Sequence, residues 1–181
     1  LTAKDQKAAR YREAMSRVPM AVHVVTTDGP GGRHGATATA VASVTDEPPT
    51  LLVCLNRAST LHTRVTENGV LAVNVLSSEQ ETVARAFARS SGGREDDRFA
   101  SAAWTRLATG APALADAVAV FDGRIVEARE VGTHTVLIVE LDAIEASEAH
   151  ADGLLYHRRG YRKDAAGEAP QTAPKAALSL S

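Results

Sequence analysis

Only one cysteine occurs in the 181 residues, so neither an intrachain disulfide nor a cysteine-based zinc site can form. Cys54 sits in the apolar run LLVCLN and reads as a buried structural thiol. No stretch approaches the roughly 18 apolar residues of a membrane span, and no membrane partner is expected. The first residues are charged and have no apolar stretch, so they do not read as a secretory leader; the expected location is the cytoplasm. A formal charge of -2 offers no basic face for nucleic acid. There is no GxGxxG, Walker or HExxH pattern and no GxSxG elbow, which removes the usual signals for a Rossmann site, a P-loop, a zinc protease and an esterase. The six histidines are scattered, and no metal site is expected.

What is present is a one-domain length with 44% hydrophobic and 23% charged residues, an ordinary globular balance. The most informative stretch is 35–49, GATATAVASVTDEPP. A strand of Ala and Thr offers little bulk, so a flat ligand or a neighbouring backbone can approach it closely. Pleat alternation would put Thr37, Thr39 and Val41 on one face and Ala38, Ala40 and Ala42 on the other. Its expected hairpin partner is 21–27, AVHVVTT, across the turn cluster DGPGG. The double proline ends it, and 50–55 reads as a fully apolar strand.

Elsewhere, 5–17 predicts an amphipathic helix with Ala8, Tyr11, Met15 and Val18 on one face. Ser59 is placed to cap a short helix through Asn68, with Gly69 as its stop. Residues 70–76 predict a strand, and Ser78 with Glu81 a capping box for a helix that turns Val83 and Phe87 inward. A polar loop is expected at 92–98, long strands at 118–128 and 133–146, and a short one at 154–157. Six or seven strands with few helices predict a mainly β fold, a β-barrel with flanking helices, over 5–163. The tail 164–181, rich in Ala, Pro, Gln, Lys and Ser, reads as disordered.

Asn56, Ser59 and Thr60 lie where an apolar strand hands over to a helix start. The residues there can serve as simple caps or can face a phosphate. His134, between Thr133 and Thr135, fits either a solvent-facing strand end or a ligand pocket.

Eight segments in order carry a resemblance: VPMAVHVVTT, GATATAVASVTDEPP, LLVCLNRAST, VLAVNVLSSEQ, FA with a later DRFASAAW, GAPALADAVAVF, VGTHTVLIVELD and GLLYHRRGYR. The chain resembles the short-chain flavin reductases, the reductase halves of two-component flavin-dependent monooxygenases. That resemblance implies an FMN-binding split β-barrel, usually a homodimer. It implies reduction of free FAD or FMN by NADH or NADPH, with the reduced flavin passed to a partner monooxygenase or halogenase. By position, Met20 and Ala21 occupy a loop against the flavin. Thr37, Ala38, Thr39 and Ala40 match the segment lining its ring. Cys54, Leu55 and Asn56, with Ser59 and Thr60, match the ribityl and phosphate segment. Arg85, Phe87, Ala88 and Arg89 match a helix end near the phosphate or adenylate. His134 matches the histidine beside the nicotinamide, the one catalytic assignment. Tyr156, His157, Tyr161 and Arg162 match a segment that closes over the site. Two alternatives stay open: a flavin- or haem-binding split-barrel carrier or sensor without reductase activity, and an oxidase that retains its flavin.

Overall fold

The computed structural model describes residues 2–88, 95–148 and 152–163. Arg89 and the tail 164–181 therefore lie outside the described residues. Helix α1 (Ala3–Met15) is followed by strands β1 (Met20–Ala21), β2 (His23–Thr27), β3 (His34–Ala38), β4 (Val41–Asp46) and β5 (Pro49–Asn56). Helix α2 (Thr60–Asn68), strand β6 (Val70–Val75) and helices α3 (Glu81–Ala86) and α4 (Glu95–Phe99) come next. The chain then forms β7 (Trp104–Arg106), β8 (Pro112–Leu114), β9 (Ala119–Val131), β10 (His134–Ala146), β11 (Leu154–His157) and β12 (Gly160–Lys163).

Seven strands make one sheet in the order β3-β2-β6-β9-β10-β5-β4. Its two edge strands, β3 and β4, are consecutive in the chain, with only Thr39 and Ala40 between them. A link that short forces the edges together, so the sheet curls into a barrel closed by chain continuity on that side. The Val41 N–H donates to Thr39 O at 3.1 Å and the Cys54 N–H to Ala40 O at 2.9 Å, which holds the link in place. The expected single strand across this region is therefore two strands. Val41 joins Ala36 and Ala38 on the barrel interior instead of sharing a face with Thr37.

Inside the barrel, Val25, Val53, Val65, Leu71, Val73, Leu137 and Val139 form one apolar core. Outside it, Val22, Val24, Leu76, Phe87, Phe99 and Leu154 form a second, under α3, α4 and the smaller sheets. β2 is buried at all five positions because it separates the two cores. The β2–β3 hairpin forms as expected, with Val25 opposite Ala36.

Several local expectations give way to tertiary contacts. The described part of the 92–98 loop is helical, because Phe99 is buried against Phe87 and Trp104 with ring centroids 5.0 and 5.1 Å apart. No capping box starts α3; the Gln80 side chain instead accepts from Ser77 N at 2.9 Å and donates to Asp116 O at 2.9 Å. α1 begins two residues earlier than expected, on a Thr2–Asp5 capping box, and buries none of its residues. Tyr11 and, just past the helix, Val18 are exposed and Ala8 and Met15 only half-buried, so among the described residues no side chain of α1 enters the core. Cys54 is half-buried, not enclosed, because it points away from the barrel core that takes Val53 and Leu55; partial burial still pushes its thiol pKa up. The short pieces β1, β7, β8 and β12, none longer than four residues, escaped the strand count.

His23 is 6% exposed and its Nδ1 has no hydrogen-bond partner among the described residues. Burial pushes its pKa below the ordinary 6.5, with a backbone contact at Ala38 opposing. The unfolded chain thus takes up a proton that the folded chain refuses, and stability rises with pH in that window. Stability is expected to be full above about pH 6.5 and to fall as the pH drops below it. Urea midpoints at about pH 5.5 and about pH 7.5 check this. The difference between them should shrink in His23→Leu; an unchanged difference would assign the slope to another group.

Candidate functional site

The candidate site grows from the end of β3. The Thr37 hydroxyl donates to Ala84 O at 2.6 Å, and the Thr37 N–H to Phe87 O at 3.1 Å. These bonds staple β3 to the end of α3 and set Ala88 beside the strand. On the other side, the Val22 N–H donates to Leu154 O at 2.9 Å and the Leu76 N–H to Val22 O at 3.1 Å. They fasten the β1-β11-β12 sheet to the barrel.

Between these two attachments lies a cavity of ≈ 280 Å³. Thr37, Ala38, Thr39 and Ala88 line one side, and Val22, Tyr156 and Tyr161 the other. Tyr156 and Tyr161 are direct partners across β11 and β12, and their rings meet edge to face at 5.4 Å. The Arg85 guanidinium sits 5.1 Å from the Tyr161 ring centroid and pairs with Glu81 at 2.6 Å. Burial raises the Tyr161 pKa, and Arg85 partly opposes that. Small side chains on one wall and two aromatic rings on the other suit a flat aromatic ligand.

Met20 and Ala21 of the adjoining strand β1 pair with Tyr156 and Leu155, but neither lines the cavity. Phe87 and Leu55 contribute no side chain: the Phe87 ring is fully buried in the outer core, and Leu55 faces the barrel interior. Six of the residues singled out in the sequence thus meet here. Val22 had no signal of its own, since it is one more valine in an apolar run.

A second group sits where β5 and β10 end side by side, with Asn56 opposite His134. Ser59 caps α2: its Oγ accepts from His62 N at 3.1 Å and donates to Asn56 O at 2.7 Å. The Asn56 Oδ1 accepts from Ala58 N at 2.9 Å, and Thr60 is the exposed first residue of the helix. His134 is exposed and does not line the cavity; its Nδ1 lies 2.9 Å from Thr133 Oγ1. His62, not anticipated from the sequence, braces this end through a 2.9 Å contact from Nε2 to Thr135 Oγ1. The Ala/Thr segment joins the two groups, since Thr39 borders the cavity and Ala40 O receives the Cys54 N–H. Among the described residues no cluster of His, Cys, Asp and Glu is placed to hold a metal.

This curled sheet has counterparts among known proteins. Residues 15–164 match the flavin reductase like domain, and the chain belongs to that family. It is 53% identical over 179 residues to the FMN reductase (NADH) RutF of Methylorubrum extorquens, an alignment covering 96% of this chain and 85% of that protein. Its structure resembles the NADH:FAD oxidoreductase SgcE6 of Streptomyces globisporus, with a TM-score of 0.81, 30% identity, and coverage of 92% and 97% of the two chains. SgcE6 has also been solved with NAD and FAD fragments. BorF, the flavin reductase component of a bacterial two-component tryptophan halogenase, resembles it with a TM-score of 0.78, 31% identity, and coverage of 86% and 96%.

Proposed function

We propose that the protein is an NADH-dependent flavin reductase that hands reduced flavin to a partner oxygenase or halogenase. The observation that carries this is the cavity pairing small Ala/Thr residues with the Tyr156–Tyr161 rings, linked through Thr39, Ala40 and Cys54 to the strand that leads into α2. Flavin, when bound, supplies a ring that accepts a hydride from reduced nicotinamide. Thr37, Ala38, Thr39 and Ala88 hold that ring close to backbone. Ala40, Cys54 and Asn56 continue the path toward Ser59 and Thr60, where backbone N–H groups favour a phosphate. Arg85 and the outer tyrosines keep water from the face of the ring. His134 orients the nicotinamide, its Nδ1 fixed by Thr133 and its Nε2 uncommitted among the described residues.

FMN is the favoured flavin and NADH the favoured donor, following RutF, with FAD and NADPH as the alternatives. A homodimer belongs to the same proposal. Val44, Val126, Val131 and Ile144 expose apolar surface on β4, β9 and β10 that a second copy can cover. We place this chemistry in the cytoplasm, where NADH is made and used.

Following NADH consumption with and without added FMN tests the activity. Oxidation should depend on flavin, and His134→Ala should lower kcat/KM for NADH about tenfold or more with flavin affinity unchanged. NADH oxidation that is no faster with flavin would favour a carrier and end the reductase proposal.

A further inference from the structure

The hairpin that supplies Tyr156 and Tyr161 turns at Arg158 and Arg159, and both have left-handed backbone, with φ of 51° and 60°. Two-residue turns of this kind favour Asn-Gly, because consecutive L side chains are strained there. α1 holds the strained turn in place: the Arg158 N–H donates to Ser16 O at 2.6 Å, and Arg159 Nη2 pairs with Glu13 at 2.8 Å. The result is a notch of ≈ 400 Å³ lined by Glu13, Ser16, Arg17, Arg158 and Arg159.

Its electrostatics are lopsided. Three guanidinium groups face one carboxylate, and Glu13 is shared between Arg159 and Arg17, the latter at 3.5 Å. The Arg158 guanidinium has no partner among the described residues. Residues 2–17 and 152–163 hold nine of the chain's 20 Lys and Arg but three of its 22 Asp and Glu, so positive charge is concentrated on this lobe of a chain that is negative overall. The C-terminal end of α1 also faces the notch, and its carbonyls disfavour anions. That effect is blunted, because Ser16 O is capped by Arg158 N–H and Glu13 O by the Ser16 hydroxyl at 2.7 Å. A solvated surface arginine would account for exposure, but not for two arginines where Asn and Gly would relieve the turn.

We propose that this notch binds the diphosphate of the dinucleotide electron donor, with Arg158 as its main ligand and Arg159 as the second. The proposal rests on the reductase reading above. Guanidinium forks match phosphate oxygens in pairs, and a diphosphate brings two negative charges to a notch with an excess of positive ones. Arg158 is two residues along the chain from Tyr156, within roughly 7 Å. A donor whose nicotinamide stacks on a flavin ring held in the tyrosine-lined cavity can therefore rest its diphosphate on the turn. Glu13 holds Arg159 in position and leaves Arg158 to close on the ligand.

The test uses the whole protein and ADP as the probe, with affinity read by calorimetry. ADP should bind the unaltered protein, and Arg158→Gln should weaken it about tenfold, the size of one lost charge-assisted contact. Arg158→Gly removes guanidinium and strain together, so that variant should match or exceed the parent in thermal stability while losing ADP. A folding defect could not produce that pair of results. In steady state, Arg158→Gln should raise KM for NADH with kcat little changed, and leave a phosphate-free dihydronicotinamide unaffected. FMN affinity should also be unchanged; a loss of FMN affinity would assign the notch to the flavin phosphate and overturn the proposal. Unchanged ADP affinity in Arg158→Gln, or no ADP binding at all, overturns it as well. If ADP fails to bind while the phosphate-free donor still reduces flavin, only the notch assignment falls. If neither donor reduces flavin, the reductase reading falls and calorimetry still reports on the notch.

Discussion

Gly123→Ala is expected to destabilise the barrel by about 3 kcal/mol or more. Gly123 lies in β9, opposite Leu71 of β6 and Leu141 of β10, so both its neighbours are backbone ladders. A Cβ built there falls 2.2 Å from Glu140 O, 2.9 Å from Glu140 C and 3.0 Å from Leu141 Cα. Those are backbone atoms of the longest strand pair, beside the irregularity between Leu141 and Ala143, and no side chain can swing away to make room. Relief requires β9 and β10 to separate. Overpacking against side chains costs about 1–3 kcal/mol; against fixed backbone the cost belongs at or above the top of that range. Total stability of a domain is typically about 5–15 kcal/mol, so such a loss consumes much of it. Urea unfolding should show a large fall in midpoint or no folded protein. Gly132→Ala is the control: its φ is 58° and a Cβ would meet nothing within 4 Å, so only the left-handed backbone is penalised, by about 1–2 kcal/mol. Equal midpoints for the parent and Gly123→Ala would show that the two strands do not approach this closely.

Ala88→Trp should weaken flavin binding strongly and leave the fold nearly untouched. Ala88 follows α3, is half-buried, and faces the cavity across from Tyr156 and Tyr161. An indole there occupies the space a flavin ring needs, while its own outer edge can stay in solvent. Flavin affinity should fall about 100-fold, or about 2.7 kcal/mol. Quenching of flavin fluorescence on titration measures it, with thermal unfolding alongside. Ala38→Leu is the less discriminating variant, because Ala38 packs toward the barrel core and a larger side chain there also strains Val41 and its neighbours. Normal flavin affinity in Ala88→Trp would move the ring elsewhere.

Much of this molecule was written locally. α2 follows from Ser59 and Gly69, a capping hydroxyl and a residue free to adopt φ 71°, and both signals act within one helical turn. The β2–β3 hairpin, the apolar β5 and the long β9 and β10 follow from β-rich runs bounded by turn formers, which need no knowledge of distant partners. The Ala/Thr segment stood out because its lack of bulk is visible residue by residue. Chain order alone, however, does not say that Thr39 and Ala40 interrupt it. That break exists because β3 and β4 belong to opposite edges of a curled sheet, a property of the whole seven-strand ladder. The same holds for α4, made helical by burial of Phe99 among aromatic rings, and for α1, none of whose residues is fully buried despite their spacing. Arg158 and Arg159 look like ordinary surface charges in the sequence. Only the two-residue turn between β11 and β12, docked on Ser16 and Glu13, brings them to one notch beside the tyrosines. Caps, turns and pleat alternation are short-range energies and can be read along the chain, whereas closure and docking depend on contacts between residues far apart in it, such as Glu13 and Arg159.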